Sequence, residues 1–171
     1  MFKNLKLKSI QKQLDKNIRA RDNSQVHSEL VTVGFVYNSD SKKDIETLYS
    51  IASSLGIDRA NCKLLAFQKH EKNKELLSHQ ITDKQIKWKG VIENNEANTF
   101  LQTPLDLLVG VYTGLHPYLD FLVSQSQARF KVGLKSSDLR LFDLQIDVAE
   151  DNTAVIIEEL KKYLQVLGKV N

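Results

Sequence analysis

The chain has 171 residues, 42% of them apolar and 26% charged, with 7 glycines and 2 prolines. That length suits one globular unit with a full core, and the composition excludes a disordered, a collagen-like or a disulfide-stapled chain. The net charge of +3 is concentrated at one end: residues 1–21 carry seven Lys or Arg against Asp15, a local +6, so the remainder is acidic by three.

The first predicted element is a basic amphipathic helix over residues 1–21. Leu7, Ile10, Leu14 and Ile18 fall at steps of three and four and form one apolar stripe, while the lysines take the other faces. The segment holds no continuous apolar run of signal-peptide or membrane-spanning length, so no export is expected. Packing of the stripe on the chain's own domain is its first expected use. The absence of Trp and the single aromatic, Phe2, count against a membrane surface, and the lack of interleaved aromatics or an RNA-recognition octamer counts against nucleic acid. A protein partner or self-association through Leu7, Ile10, Leu14 and Ile18 is the remaining use.

The main domain is expected over residues 28–171. Leu30–Tyr37 (LVTVGFVY) is apolar on both sides of the pleat, as a strand buried on both faces must be. Asn38-Ser39-Asp40 leads into a helix from about Lys42, with Ser41 and Asp44 spaced as a capping box and Gly56 as the stop. Lys63–Phe67 follows as a second strand, giving a right-handed βαβ unit. Residues 69–84 are charged, with a short helix around Lys74–Ser78. Ile86-Lys87-Trp88 and Val91-Ile92 flank Gly90 as a short strand or an irregular excursion, Trp88 is expected as a core anchor, and Asn94–Asn98 reads as a turn.

A second unit follows Pro104. Leu105–Tyr112 (LDLLVGVY) is another buried strand, Thr113-Gly114 turns into a helix with Pro117 in its first turn, and Phe130–Leu134 is a strand. Leu141–Val148 alternates and is open to antiparallel pairing at a sheet edge; a helix over Thr153–Leu167 ends the chain at Gly168. The alternation specifies a three-layer α/β sandwich, Rossmann-like or flavodoxin-like, with a mostly parallel sheet of about five strands and an antiparallel edge.

The segments IKWKG (Ile86–Gly90), FLQTPLDLLVGVYTG (Phe100–Gly114), SQARFKVGL (Ser126–Leu134), DLRLFDLQID (Asp138–Asp147) and ELKKYLQVLGKV (Glu159–Val170) together resemble a family of small uncharacterised Bacteroidetes proteins, a domain of unknown function. The likeness spans most of the chain. It implies a cytoplasmic α/β protein and transfers no catalytic residue.

In such a sheet, ligands bind beyond the carboxyl ends of the strands, where helix N-termini offer free N–H groups. Asn38, Ser39, Asp40 and Ser41 after the first strand, and Thr113, Gly114 and His116 after the strand ending at Tyr112, are the candidate ligand-binding residues, suited to a small anionic ligand such as a phosphate or sugar phosphate. Helix capping accounts for Ser41, Asp40 and Thr113 equally well. No dinucleotide, P-loop or nucleophile-elbow spacing occurs, so no NAD or Walker-type ATP binding and no serine hydrolase is expected. Cys62 is the only cysteine; it cannot close an internal disulfide and no Cys/His spacing fits zinc or an iron–sulfur cluster, which points to a reducing cytoplasm. Asp143 and Asp147 share a strand face with other acids nearby, a pattern that fits Mg²⁺ less well than a solvated edge strand. No metal and no cofactor is expected.

Three functions fit these residues. The first is a small-molecule or protein binding module acting at the strand carboxyl ends; the second is a transferase-like or hydrolase-like enzyme on a phosphorylated or nucleotide-sugar substrate, with Asp40 and His116 as polar groups. The third is an adaptor that uses the basic N-terminal helix on a membrane surface or a partner.

Overall fold

The computed structural model describes residues 1–24, 29–41 and 43–171. The domain start at residue 28 and the helix start at Lys42 therefore lie outside the described residues. Six strands, β1 (Val33–Asn38), β2 (Cys62–Gln68), β3 (Gln80–Thr82), β4 (Leu107–Val111), β5 (Phe130–Gly133) and β6 (Leu144–Gln145), form one parallel sheet in the order β3-β2-β1-β4-β5-β6. Helices α1 (Phe2–Ala20), α3 (Asn95–Gln102) and α4 (Pro117–Gln125) cover one face, and α2 (Ile45–Ser54) and α5 (Thr153–Val166) the other. This is the three-layer, Rossmann-like sandwich that the alternation of strands and helices specifies.

The central strands explain why the sheet is parallel. On β1, Val33, Phe35 and Tyr37 point to the α2/α5 core and Val36 to the opposite core; on β4, Leu107, Val109 and Val111 alternate with Leu108 in the same way. A strand apolar on both sides is stable only between two helical layers, and each such side chain contributes about 1.5–3 kcal/mol on burial. β1 is also covered closely. A Cβ on Gly34 would stand 2.4 Å from Leu105 Cδ1 and 2.8 Å from the Phe100 ring. Gly34→Ala is expected to cost about 1–3 kcal/mol by overpacking, measured as a lower urea midpoint with an unchanged slope.

Several expectations need correction. Among the described residues the sheet has six strands rather than about five, and its edge is parallel. The segment Leu141–Val148 pairs only at Val132↔Leu144 and Gly133↔Gln145, both parallel. The connection between β5 and β6 packs over this part of the sheet: the Phe142 ring fills the space a Cβ would need at Gly133, 2.6 Å away, and at Gly110, 3.1 Å away. No hairpin forms. No helix forms around Lys74–Ser78; the chain enters β3 instead. Asn94–Asn98 is no turn but the start of α3, because Asn94 Oδ1 accepts the Ala97 N–H at 2.9 Å as a true N-cap. The cap of α2 is Asp44, which accepts from Glu46 N at 3.1 Å, while Ser41 belongs to a separate 3₁₀ turn over Ser39–Ser41. Trp88 is not a core anchor: it is 49% exposed, on a 3₁₀ turn over Trp88–Gly90.

The stripe of α1 also has a definite use. Ile10 and Leu14 are buried in one core with Phe121 and Leu122 of α4, and Leu7 and Ile18 pack partly buried against it. The stripe is thus occupied by the chain itself and is not available to a partner or a second copy. No helix among the described residues is long and apolar enough to cross a membrane.

Candidate functional site

The strand order reverses between β1 and β4, so the connection leaving β1 turns to the α2 side and the one leaving β4 turns to the α4 side. The two loops diverge and leave an opening beyond the strand ends, the usual ligand position in open α/β sheets. Both sets of candidate residues stand at this edge.

The β1 loop is braced by its neighbours. Asn38 Oδ1 accepts the Asp40 N–H at 3.0 Å, and the Asn38 carbonyl accepts the Ser41 hydroxyl at 2.7 Å. The Ser39 hydroxyl accepts from Gln80 Nε2 at 3.1 Å, and Asp40 Oδ1 accepts from Gln68 Nε2 at 3.1 Å. Gln68 ends β2 and Gln80 starts β3, so two neighbouring strands fix the loop.

The β4 loop is fixed from the other side. Thr113 Oγ1 accepts the Glu150 N–H at 3.0 Å, and Gly114, at φ 78°, donates its N–H to the Lys135 carbonyl at 2.9 Å. His116 is the N-cap of α4: its Nδ1 accepts the Leu119 N–H at 3.1 Å, which leaves Nε2 as the protonated nitrogen of the neutral ring. Burial lowers the His116 pKa against the opposing pull of the Asp40 charge, so the neutral ring is favoured. Beneath it, Asp120 accepts the Tyr112 hydroxyl at 2.6 Å and the His116 N–H at 3.1 Å. Burial raises the Asp120 carboxyl above its usual range and pushes the Tyr112 phenol well above its own.

The hollow at this edge has a volume of about 360 Å³ and is lined by Ser41, Lys43, Thr113, Ala149, Glu150 and Asp151. It brings together Ser41 and Thr113 from the two expected loops. Asn38, Ser39, Asp40, Gly114 and His116 stand at the same edge without lining it. Lys43 Nζ donates to the Glu150 carbonyl, and burial lowers the pKa of this amine although Glu150 and Asp151 act the other way. Glu150 Oε2 is buried and has no hydrogen-bond partner. Sequence reasoning passed over Lys43 and counted Glu150 only among the acids near Asp143 and Asp147. The signal that finds Glu150 is a parallel β6, which makes Val148–Asp151 a third loop at the carboxyl edge.

The helix N-termini from which a small anionic ligand is expected carry acidic side chains of their own. The first turn of α2 is already capped by Asp44 and carries Glu46; that of α4 is capped by His116 and carries Asp120. Asp44 takes the Glu46 N–H and His116 the Leu119 N–H, and Glu46 and Asp120 place acidic side chains at the positive dipole ends.

The other candidates have structural partners. Cys62 is buried and burial pushes its thiol up to about 11, which leaves it protonated and inert near neutrality. Asp143 pairs with Arg21 at 2.7 Å and also accepts the Lys131 N–H at 2.8 Å, whereas Asp147 lies 4.0 Å from Lys135. Among the described residues, no three His, Cys, Asp or Glu side chains converge as metal ligands would.

A family model described as a family of unknown function, DUF6913, matches residues 6–167. The chain belongs to the DUF6913 family. The DUF6913 match takes in most of α1 and every strand and runs to the end of α5, so the basic helix is part of the family domain together with the sheet. No curated protein and no solved structure matches the chain.

Proposed function

We propose that this DUF6913 protein is a cytoplasmic binding module whose small polar ligand enters between the carboxyl ends of β1 and β4. The observation that carries the reading is Glu150, which lines a hollow at the switch point of the sheet and whose Oε2 is buried there without a hydrogen-bond partner. A buried acceptor of this kind is costly unless a donor reaches it. The ligand chemistry that fits is a neutral or cationic molecule bearing hydroxyl or amino donors, with Ser41 and Thr113 as further hydrogen-bonding groups. The single, unpaired Cys62 supports a reducing compartment. The sequence resemblance supports a Bacteroidetes source.

A melting-temperature screen with sugars, amino sugars, nucleosides, polyamines and sugar phosphates tests this. A ligand at 100 times its dissociation constant adds about 2.7 kcal/mol, a shift on the order of 5–10 °C at this size. The expected result is a shift with a donor-bearing neutral or cationic compound that disappears in Glu150→Ala. A flat screen, or a shift retained in Glu150→Ala, removes the reading.

A further inference from the structure

The outward face of α1 forms a second surface, distant in character from the carboxyl-edge hollow. Lys8, Lys12, Lys16 and Arg19 follow one another at steps of four, four and three along the side of the helix opposite Ile10 and Leu14, so all four project away from the core. Together with Leu5 and Trp88 they line a shallow groove of about 770 Å³. Asp15, the acid on this face, is paired with Arg140 at 3.3 Å, which leaves the ladder strongly positive.

Trp88 is held in this position by construction. Lys89 adopts φ 57° and Gly90 φ 75°, backbone that L side chains rarely take. Lys89 N donates to Ser9 Oγ at 2.7 Å, and a Cβ on Gly90 would stand 2.5 Å from the Phe121 ring, so the turn is pressed onto α1 and α4. The effect is a large aromatic side chain displayed beside the cations with about half its surface in water. At the start of the ladder, Phe2 is 75% and Leu5 45% exposed, one turn apart on the same side.

We propose that this face docks the protein onto an anionic lipid surface. Two independent signals meet there: a cluster of Lys and Arg that acidic headgroups attract, and exposed Phe2, Leu5 and Trp88, which suit the boundary between headgroups and acyl chains. A nucleic acid would use the cations and the indole but leave Phe2 and Leu5 in water, so the apolar groups decide for lipid. The acidic remainder of the chain adds orientation, because a charge-polarised molecule presents its basic side to a negative surface.

Trp88 is the only tryptophan, so its fluorescence reports this face directly. Full-length protein is titrated with vesicles of phosphatidylcholine, with and without phosphatidylserine, alongside co-sedimentation. The expected result is a blue-shifted emission and sedimentation with the phosphatidylserine vesicles alone, weakening as salt is raised. The triple variant Lys8→Gln, Lys12→Gln, Lys16→Gln should keep its melting temperature, since all three side chains are exposed, and lose partitioning on the order of a hundredfold. Absence of binding to phosphatidylserine vesicles at low salt overturns the proposal, as does binding that the triple variant retains. Tighter binding to a single-stranded oligonucleotide than to the vesicles would overturn it in favour of nucleic acid.

Discussion

Lys131→Met is expected to stabilise the protein by about 2–4 kcal/mol at pH 6 and by little at pH 11. Lys131 lies on β5 between Phe130 and Val132, and alternation turns it into the layer beneath α4, where it is 1% exposed. Its Nζ donates to the Val123 carbonyl at 2.6 Å, near the end of α4. Burial pulls the amine pKa down to about 7, and the nearby Arg21 charge adds to this while Asp143 opposes it. The unfolded chain carries this proton up to about pH 10.5, the folded chain only to about pH 7, so folding expels a proton between those values and stability rises with pH across that window. Below pH 7 both states are charged, and the full penalty of burying an ammonium group applies. A shift of this size corresponds to about 5 kcal/mol, from which the loss of the hydrogen bond to Val123 subtracts about 1–3 kcal/mol. Urea unfolding of both proteins from pH 6 to 11 checks it: the two stability curves should converge as pH rises, and parallel curves would show that Lys131 is not buried as a charge.

Asp106→Ala should destabilise the protein by about 2–4 kcal/mol at neutral pH. One carboxylate oxygen of Asp106 accepts from Val31 N at 3.0 Å, Thr32 N at 2.9 Å and the Thr32 hydroxyl at 3.0 Å; the other accepts from Arg129 at 2.9 Å. This single side chain ties the segment before β1 to the start of β4 and to the approach of β5. Burial by itself would raise its pKa, but the hydrogen bonds from Thr32, Val31 and Arg129 outweigh burial and lower it. A lowered carboxyl pKa contributes stability above the unfolded value and loses it as pH falls through the folded one. The gap between wild type and Asp106→Ala should therefore be full at pH 7 and narrow below about pH 4. A gap that is constant with pH would mean that the charge of Asp106 contributes nothing.

These two residues bear on function through rigidity. The carboxyl edge is built from loops that brace one another, Ser39 to Gln80, Asp40 to Gln68 and Thr113 to Glu150, and each depends on strands held in register. A hollow with fixed walls loses little entropy when a ligand binds. Asp40 and His116 brace this edge as well, Asp40 through Gln68 and His116 by capping α4 at the Leu119 N–H.

The central part of the fold was legible in the residues themselves. LVTVGFVY and LDLLVGVY are apolar on both sides of the pleat, which by itself demands two helical layers and hence parallel pairing, and the two loops after them are the candidate site. The stripe Leu7, Ile10, Leu14 and Ile18 likewise specified one buried helix face. What only the tertiary structure decided concerns elements whose local signal is weak. QIT of β3 pairs over just three residues and is held by its neighbour β2; β6 pairs over two residues, parallel to β5, while Phe142 packs over Gly110, thirty-two residues earlier in the chain. Trp88 faces water because a left-handed Lys89-Gly90 turn is pressed against α1 and Phe121, and no local pattern carries that. Glu150 reaches the hollow only once β6 runs parallel and delivers the chain to the carboxyl edge. Periodicity records which side of an element is buried; which elements meet, and what their ends enclose, depends on contacts that no window of sequence contains.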